Sequence, residues 1–213
     1  MLDVKYIGHS VKRIEDHPLL TGAGRFVADL RLPDTLEAAF VRSPYAHAAI
    51  RGIDASAARR CPGVHAVLTL ADLIPLLAQE RLPLQFRTAQ LPPDITPLVL
   101  AKDEVAFVGE AVAVVLAQTR YLAEDAAALV AVDYEPLPAV SDCRQALQPG
   151  APRTHRGRGG NVLVEFRQAY GDVEDAFARA PRRSRVSLKQ HRGGRIPSRG
   201  AARWRPTTAT RTG

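Results

Sequence analysis

The sequence predicts an α+β fold, and three observations predict it. Two strand–helix–strand units stand about sixty residues apart. A proline-rich stretch without periodicity separates them. The longest apolar run, Ala111 to Ala117, has the length of a strand and is far short of a membrane span. At 213 residues with 46% hydrophobic side chains, the chain suits one or two globular domains that fold without staples.

In the first unit, Leu36, Ala38 and Phe40 alternate with Glu37, Ala39 and Val41, the period of a half-buried strand. Ser43-Pro44 breaks it. Asp54 is the expected helix N-cap, since a carboxylate there accepts free amide hydrogens of the first turn. Ala55, Ala57 and Ala58 favour the helix and Pro62-Gly63 ends it, after which Val64 to Thr69 reads as the returning strand.

The second unit repeats the pattern more strongly. Ala111 to Ala117 is apolar at every position, as a strand covered on both faces should be. Thr119 is the expected cap of the next helix. Leu122, Ala126, Leu129 and Val130 form its expected buried stripe, with Glu124 and Asp125 favouring its positive end. Val130 to Tyr134 is the exit strand, stopped by Glu135-Pro136-Leu137-Pro138.

Between the units, Pro75 to Pro97 carries five prolines and reads as a surface excursion. Gln148 to Gly160, rich in Gly, Pro and Arg, reads as a boundary. Beyond it, Asn161 to Phe166 is a candidate strand, and Asp172 opens a short helix with Val173 and Phe177 on one face, stopped by Pro181.

Charge is unevenly placed. Residues 182–213 hold ten Arg and Lys and no acid, which leaves 19 basic and 22 acidic residues in 1–181, a net of −3. That basic end has only Val186, Leu188, Ile196 and Trp204 as large apolar residues. Burying all four returns roughly 6–12 kcal/mol. Ordering the backbone costs on the order of 30–60 kcal/mol, so the tail is expected to be disordered.

Few residues are placed for chemistry. Cys61 and Cys143 are too few for an iron–sulfur cluster or a four-sulfur zinc site; they could form one disulfide, but the favoured reading is two reduced thiols in a cytoplasmic protein. The start, Met1-Leu-Asp-Val-Lys-Tyr-Ile, has no apolar core of a signal peptide, and no membrane association is expected.

The six histidines stand out of ligand spacing; His47 and His65 read as packing or hydrogen-bonding residues, and His9, His17, His155 and His191 are scattered. Gly22 and Gly24 lack the third glycine and the following helix of a dinucleotide loop, so a tight turn is expected. Gly157-Arg-Gly-Gly160 reads as a flexible linker. Glu110 has no titratable partner assignable from sequence and is expected to accept backbone hydrogen bonds. We therefore assign no catalytic, cofactor-binding or metal-binding residue.

Two segments carry a family signature. The first runs Gly22-Ala-Gly-Arg-Phe-Val-Ala-Asp29, through Arg42-Ser-Pro-Tyr-Ala-His-Ala48, to Cys61-Pro-Gly-Val-His-Ala-Val-Leu68. The second runs Val105-Ala-Phe-Val-Gly-Glu110, through Ala123-Glu-Asp-Ala-Ala127, to Val132-Asp-Tyr-Glu-Pro-Leu-Pro138. In this order they resemble the α/β hammerhead domain that opens the molybdopterin-binding large subunit of the xanthine dehydrogenase, aldehyde oxidase and aerobic carbon monoxide dehydrogenase family. The leader Val11-Lys-Arg-Ile-Glu-Asp16 looks most like the carbon monoxide dehydrogenase branch.

The resemblance implies an N-terminal portion of an oxidoreductase subunit that is not catalytic by itself. Expected boundaries are a leader at 1–19, the hammerhead domain at 20–147, a linker at 148–160, a partial start of the molybdopterin-binding domain at 161–181, and the basic tail at 182–213. A molybdenum–molybdopterin cofactor is implied for the full-length subunit and none for this chain. Implied partners are iron–sulfur and flavin subunits.

Near the end, Ile196-Pro-Ser-Arg-Gly200 lacks the glutamate of the family's corresponding run, and Arg205 follows Trp204 where an aspartate is expected. These departures lead to the expectation of a truncated or frameshifted end. The alternative reading is a stand-alone interaction module whose arginine-rich tail binds a polyanion, with Trp204 as a stacking surface; binding that weakens steeply with salt would support it. No nucleic-acid-binding motif accompanies the charge, so nucleic acid is not the expected partner.

Overall fold

In a computed structural model, the described residues are 8, 10–26, 29, 32–83 and 96–188. The chain divides into two compact units, Met1–Pro33 with Ser184–Gly213, and Asp34–Arg183. In the first, a short helix α1 (Asp16–Leu20) occupies what reads as leader, and Gly22 turns the chain after it with φ of 72°. That positive φ is the reason for glycine at this turn.

The second unit is built on two three-stranded antiparallel sheets. The elements run β1 (Glu37–Arg42), β2 (Ala48–Asp54), α2 (Ser56–Arg59), β3 (Val64–Leu68), α3 (Leu70–Leu73), β4 (Glu104–Val105), β5 (Ala111–Ala117), α4 (Arg120–Ala128), β6 (Ala131–Pro136) and α5 (Val173–Arg179). One sheet is ordered β1-β5-β3 and the other β4-β2-β6.

β5 is the central strand of its sheet. Its register sets Glu37 opposite Ala117 on one side and Val64 opposite Ala117 on the other. Val112, Ala113, Val115 and Ala117 are wholly buried, as the unbroken apolar run predicts for a strand flanked on both edges and covered on both faces.

β2 is the strand that the sequence reading omits. Its alanine-led, glycine-containing run (Ala48-Ala-Ile-Arg-Gly-Ile-Asp54) lacks strict alternation, yet Ala48 and Ala49 pair with both β4 and β6. A tertiary partner on each side here overrides weak β-propensity. The helix after it starts two residues beyond Asp54, whose Oδ1 accepts the Ser56 amide at 2.8 Å from the end of β2, so Ala55 holds the cap position.

The core is made of small side chains. Ala55, Ala58, Val67, Val115, Ala126 and Val130 pack α2 and α4 onto the β5 sheet, and Ala48, Ala101, Val105 and Val112 form a second cluster. α4 is capped by Thr119, whose hydroxyl accepts the Leu122 amide at 3.3 Å. Its buried stripe is Ala123, Ala126 and Val130; Leu129 is exposed because the helix ends at Ala128 and turns it outward. Glu124 lies beyond the first turn and pairs with Arg120 one turn earlier at 2.7 Å, which replaces the expected dipole role.

Two further expectations are corrected beyond β6. Asn161–Phe166 forms no strand, since no described strand lies beside it. α5 is present with Asp172 as its cap, accepting the Asp175 amide at 2.9 Å, but Val173 and Phe177 are both exposed. The boundary region is ordered by Asn161, whose amide nitrogen donates to the Ala146 and Pro152 carbonyls at 3.0 and 2.8 Å.

Of the excursion, residues 84–95 lie outside the described set, and its ends meet at an antiparallel bridge between Arg81 and Leu98. Of the tail, residues 182–188 are exposed and without regular structure, and the expectation for 189–213, with His191, Ile196 and Trp204, lies outside the described residues, as does His9.

Gly63 ends the α2 turn at φ of 79°, and a Cβ there would stand 2.7 Å from Leu122 Cδ1 on α4. Gly63→Ala should therefore cost at least about 1 kcal/mol. Thr119→Ala should cost about 0.5–2 kcal/mol through the lost cap. Urea melts followed by circular dichroism check both values.

Candidate functional site

The polar residues worth examining gather where the β1–β2 turn, β4, the β4–β5 turn and the stretch after β6 meet. Ser43 opens the first turn: its buried hydroxyl accepts the Tyr45 amide at 3.0 Å, fixing the bend that Pro44 begins. Its backbone is stitched to the second turn, Ser43 N–H to the Glu110 carbonyl at 2.9 Å and Gly109 N–H to the Ser43 carbonyl at 2.8 Å. Arg42 adds a bond to the Gly109 carbonyl at 2.8 Å. Gly109 takes φ of 88°, which a side chain would resist.

This bend delivers His47 into the interior, 6% exposed. Its Nδ1 stands 2.9 Å from the Pro138 carbonyl, and a carbonyl only accepts, so Nδ1 carries the proton. Nε2 is buried without a hydrogen bond, and Glu104 Oε2 is 3.5 Å away. The Leu137 amide donates to the His47 carbonyl at 3.0 Å, so residue 47 fastens the end of β6 through backbone and side chain together.

Glu104, on β4, also reaches the stretch after β6. Its two carboxylate oxygens accept the Arg156 amide at 3.3 and 3.1 Å, and His155 Nδ1 is 3.8 Å from Oε1. Beside them Tyr45 and Tyr134 pack with centroids 5.2 Å apart and rings inclined at 55°. The Tyr134 hydroxyl is buried near Ser43 without a hydrogen bond of good geometry, and burial pushes the phenol up from its ordinary range.

Glu110 is half-buried, and its Oε2 accepts the Ala106 amide at 2.6 Å across the turn. Loss of hydration raises its carboxyl above the ordinary value; the Ala106 bond and the His155 charge oppose the rise and Glu104 adds to it.

Alongside lies an open cleft of about 350 Å³ lined by Ala46, His47, Phe107, Val108, Val140 and Thr154 among others. Among the described residues no group of three or more His, Cys, Asp or Glu side chains converges closely enough to hold a metal ion. His65 lies exposed on β3 and His17 exposed on α1. Cys61 and Cys143 are free thiols, the first half-buried and the second exposed. Gly157 sits in a turn and 158–160 bend towards Asn161, which accepts the Thr154 amide.

Sequence reasoning isolates His47 and Glu110 but misses Glu104, Tyr134 and His155 as their neighbours. The bonds joining them span 91 residues for His47 to Pro138 and 52 for Arg156 to Glu104, separations at which no local spacing carries a signal. The arrangement ties loops together.

A carboxyl whose folded value is raised contributes stability below its unfolded value, near 4.5, and loses it as pH rises through the folded value. Glu110→Gln keeps an acceptor for the Ala106 amide and removes the buried charge. The variant should gain on the wild type as pH rises from about 4.5 through the raised titration of Glu110, by under about 1 kcal/mol because a half-buried group is screened. Thermal melts across that range check it; a gap that shrinks as pH rises contradicts it.

Three comparisons bear on this geometry. Residues 21–138, more than half of the chain, match the family model described as aldehyde oxidase and xanthine dehydrogenase, a/b hammerhead domain. The chain is 45% identical over 174 residues to the nicotine 6-hydroxylase large subunit of Paenarthrobacter nicotinovorans, covering 82% of this chain and 21% of that one. It is 41% identical over 196 residues to subunit gamma of the 6-hydroxypseudooxynicotine dehydrogenase complex of the same organism, covering 90% of this chain and 24% of that one.

The crystal structure of a Cu,Mo-CO dehydrogenase in the carbon monoxide-reduced state matches at 41% identity with a TM-score of 0.65, over 82% of this chain and 22% of that one. The chain thus spans about a fifth to a quarter of the length of these relatives, which are subunits of larger assemblies. Among the described residues no helix is long and apolar enough to cross a membrane. From the match over residues 21–138, carried by both antiparallel sheets, the chain belongs to the aldehyde oxidase and xanthine dehydrogenase family, whose a/b hammerhead domain it contains.

Proposed function

We propose that this chain is the N-terminal portion of the large subunit of a molybdenum hydroxylase, acting as a scaffold on which the rest of the subunit assembles. The observation that carries the reading is the mismatch of coverage: 82% of this chain aligns with only 21% of a large subunit at 45% identity. The residues agree with a scaffold. The buried Ser43 and His47 and the partly buried Glu104 are spent on joining loops, with Arg42 and Asn161 adding side-chain bonds to carbonyls.

A molybdenum–pterin cofactor is implied by the family, and the described residues do not fit one. The cleft beside His47 is about 350 Å³, and its side chains other than His47, Ser141 and Thr154 are apolar. A cofactor of that polarity needs more convergent donors than these. In the complete subunit the cofactor would be held by residues outside the hammerhead domain, with residues 161–181 as the beginning of the part that holds it. Iron–sulfur and flavin subunits are the proposed partners of the whole. The two free thiols agree with a reducing, cytoplasmic setting.

Purified chain should contain no molybdenum by plasma mass spectrometry and should reduce no dye in the presence of an aldehyde, a purine, an N-heterocycle or carbon monoxide. Stoichiometric molybdenum with substrate-dependent dye reduction overturns the proposal.

A further inference from the structure

Residues 161–170 combine the composition of a strand with the surroundings of none. Val162, Val164 and Phe166 alternate with Leu163, Glu165 and Arg167, the period-two pattern of an extended segment with one apolar face. Val162 is 56% exposed and Phe166 70% exposed, Tyr170 more so, and α5 immediately after presents Val173 and Phe177 to solvent as well. Among the described residues, the backbone groups of 162–167 enter no ladder and make no hydrogen bond. Backbone donors and acceptors flanked by branched and aromatic side chains are what an incomplete sheet looks like.

The segment is nevertheless held at its root. Asn161 binds the Ala146 and Pro152 carbonyls and accepts the Thr154 amide, so the run leaves the body from a fixed point. The similarity to a subunit four times longer covers 90% of this chain, and a match of that extent passes through residues 161–180 wherever its ends fall. The exposed run therefore belongs to sequence shared with a protein that has further chain to cover it.

We propose that Val162–Arg167 is a strand completed by backbone pairing with a β-sheet edge in the remainder of the large subunit, with Val162, Val164 and Phe166 on the covered face. This rests on the reading of the chain as a portion of that subunit and adds how the two parts join. Main-chain bonds supply the attachment and alternate side chains supply the register.

The test uses the whole chain alone and grafted in place of the matching segment of the 6-hydroxypseudooxynicotine dehydrogenase gamma subunit. Amides of 162–167 should exchange freely in the chain alone and become protected in the graft. Val164→Pro removes a ladder donor. It should leave the thermal midpoint of the chain alone unchanged, while cutting the yield of folded graft by about tenfold. Val164→Ile should behave like the parent in both settings.

Equal exchange in both settings, tolerance of Val164→Pro in the graft, or a lowered midpoint in the chain alone each overturns the strand pairing. A parent graft that never folds sinks the family-portion reading, and this inference with it.

Discussion

The β5 ladder is the constraint on which the rest depends. Residues 111–117 receive β1 from the first part of the chain on one edge and β3 on the other. Every backbone group of a strand so placed has a partner only when both neighbours are docked. Closing it brings together residues 37 and 117, a separation that costs loop-closure entropy before any contact is gained. What offsets that cost is burial of Val112 and Val115 at no exposure, together with the alanines that let α2 and α4 lie close. A β5 held this way also fixes the turn before it, and so Gly109 and Glu110 against Ser43.

Small side chains are a consequence of this layering. Helices packed close to a sheet leave room for alanine and valine and little else, which is why Ala55, Ala58, Ala123 and Ala126 outnumber leucines at the interface. Leu70 and Leu100 are buried, but several of the larger apolar residues stand at the periphery. Phe40 packs beneath the Arg42 guanidinium at 5.3 Å, while Phe107 and Val108 stand at the cleft rim. The buried polar network occupies the region that helices do not cover, where loops need their carbonyls and amides satisfied.

How much of this was legible depended on sequence distance. β5, the Thr119 cap and the Pro62-Gly63 stop are local signals, and each appears where its residues place it. β2 was not legible, because Ala48-Ala49 acquires strand geometry from partners on both sides rather than from its own propensity. The Leu129 misplacement arose from extending the helix one residue past its end. The His47, Glu104 and His155 grouping was illegible in principle: each is unremarkable in its own window, and only the docking of β4 and β6 on β2 makes them neighbours. Asn161–Phe166 shows the converse, a local pattern whose outcome is set by what lies next to it.

The bridge between Arg81 and Leu98 has an evolutionary reading. Leu82 N–H meets the Pro97 carbonyl at 3.0 Å, Val99 N–H meets the Glu80 carbonyl at 2.9 Å, and the Arg81 guanidinium reaches the Thr96 carbonyl. With both ends pinned by main-chain contacts, changes in the number of residues between them are insulated from the sheets. Each doubling of such a span adds only about 0.6 kcal/mol of closure entropy. Insertions and deletions between these anchors therefore cost the sheets little.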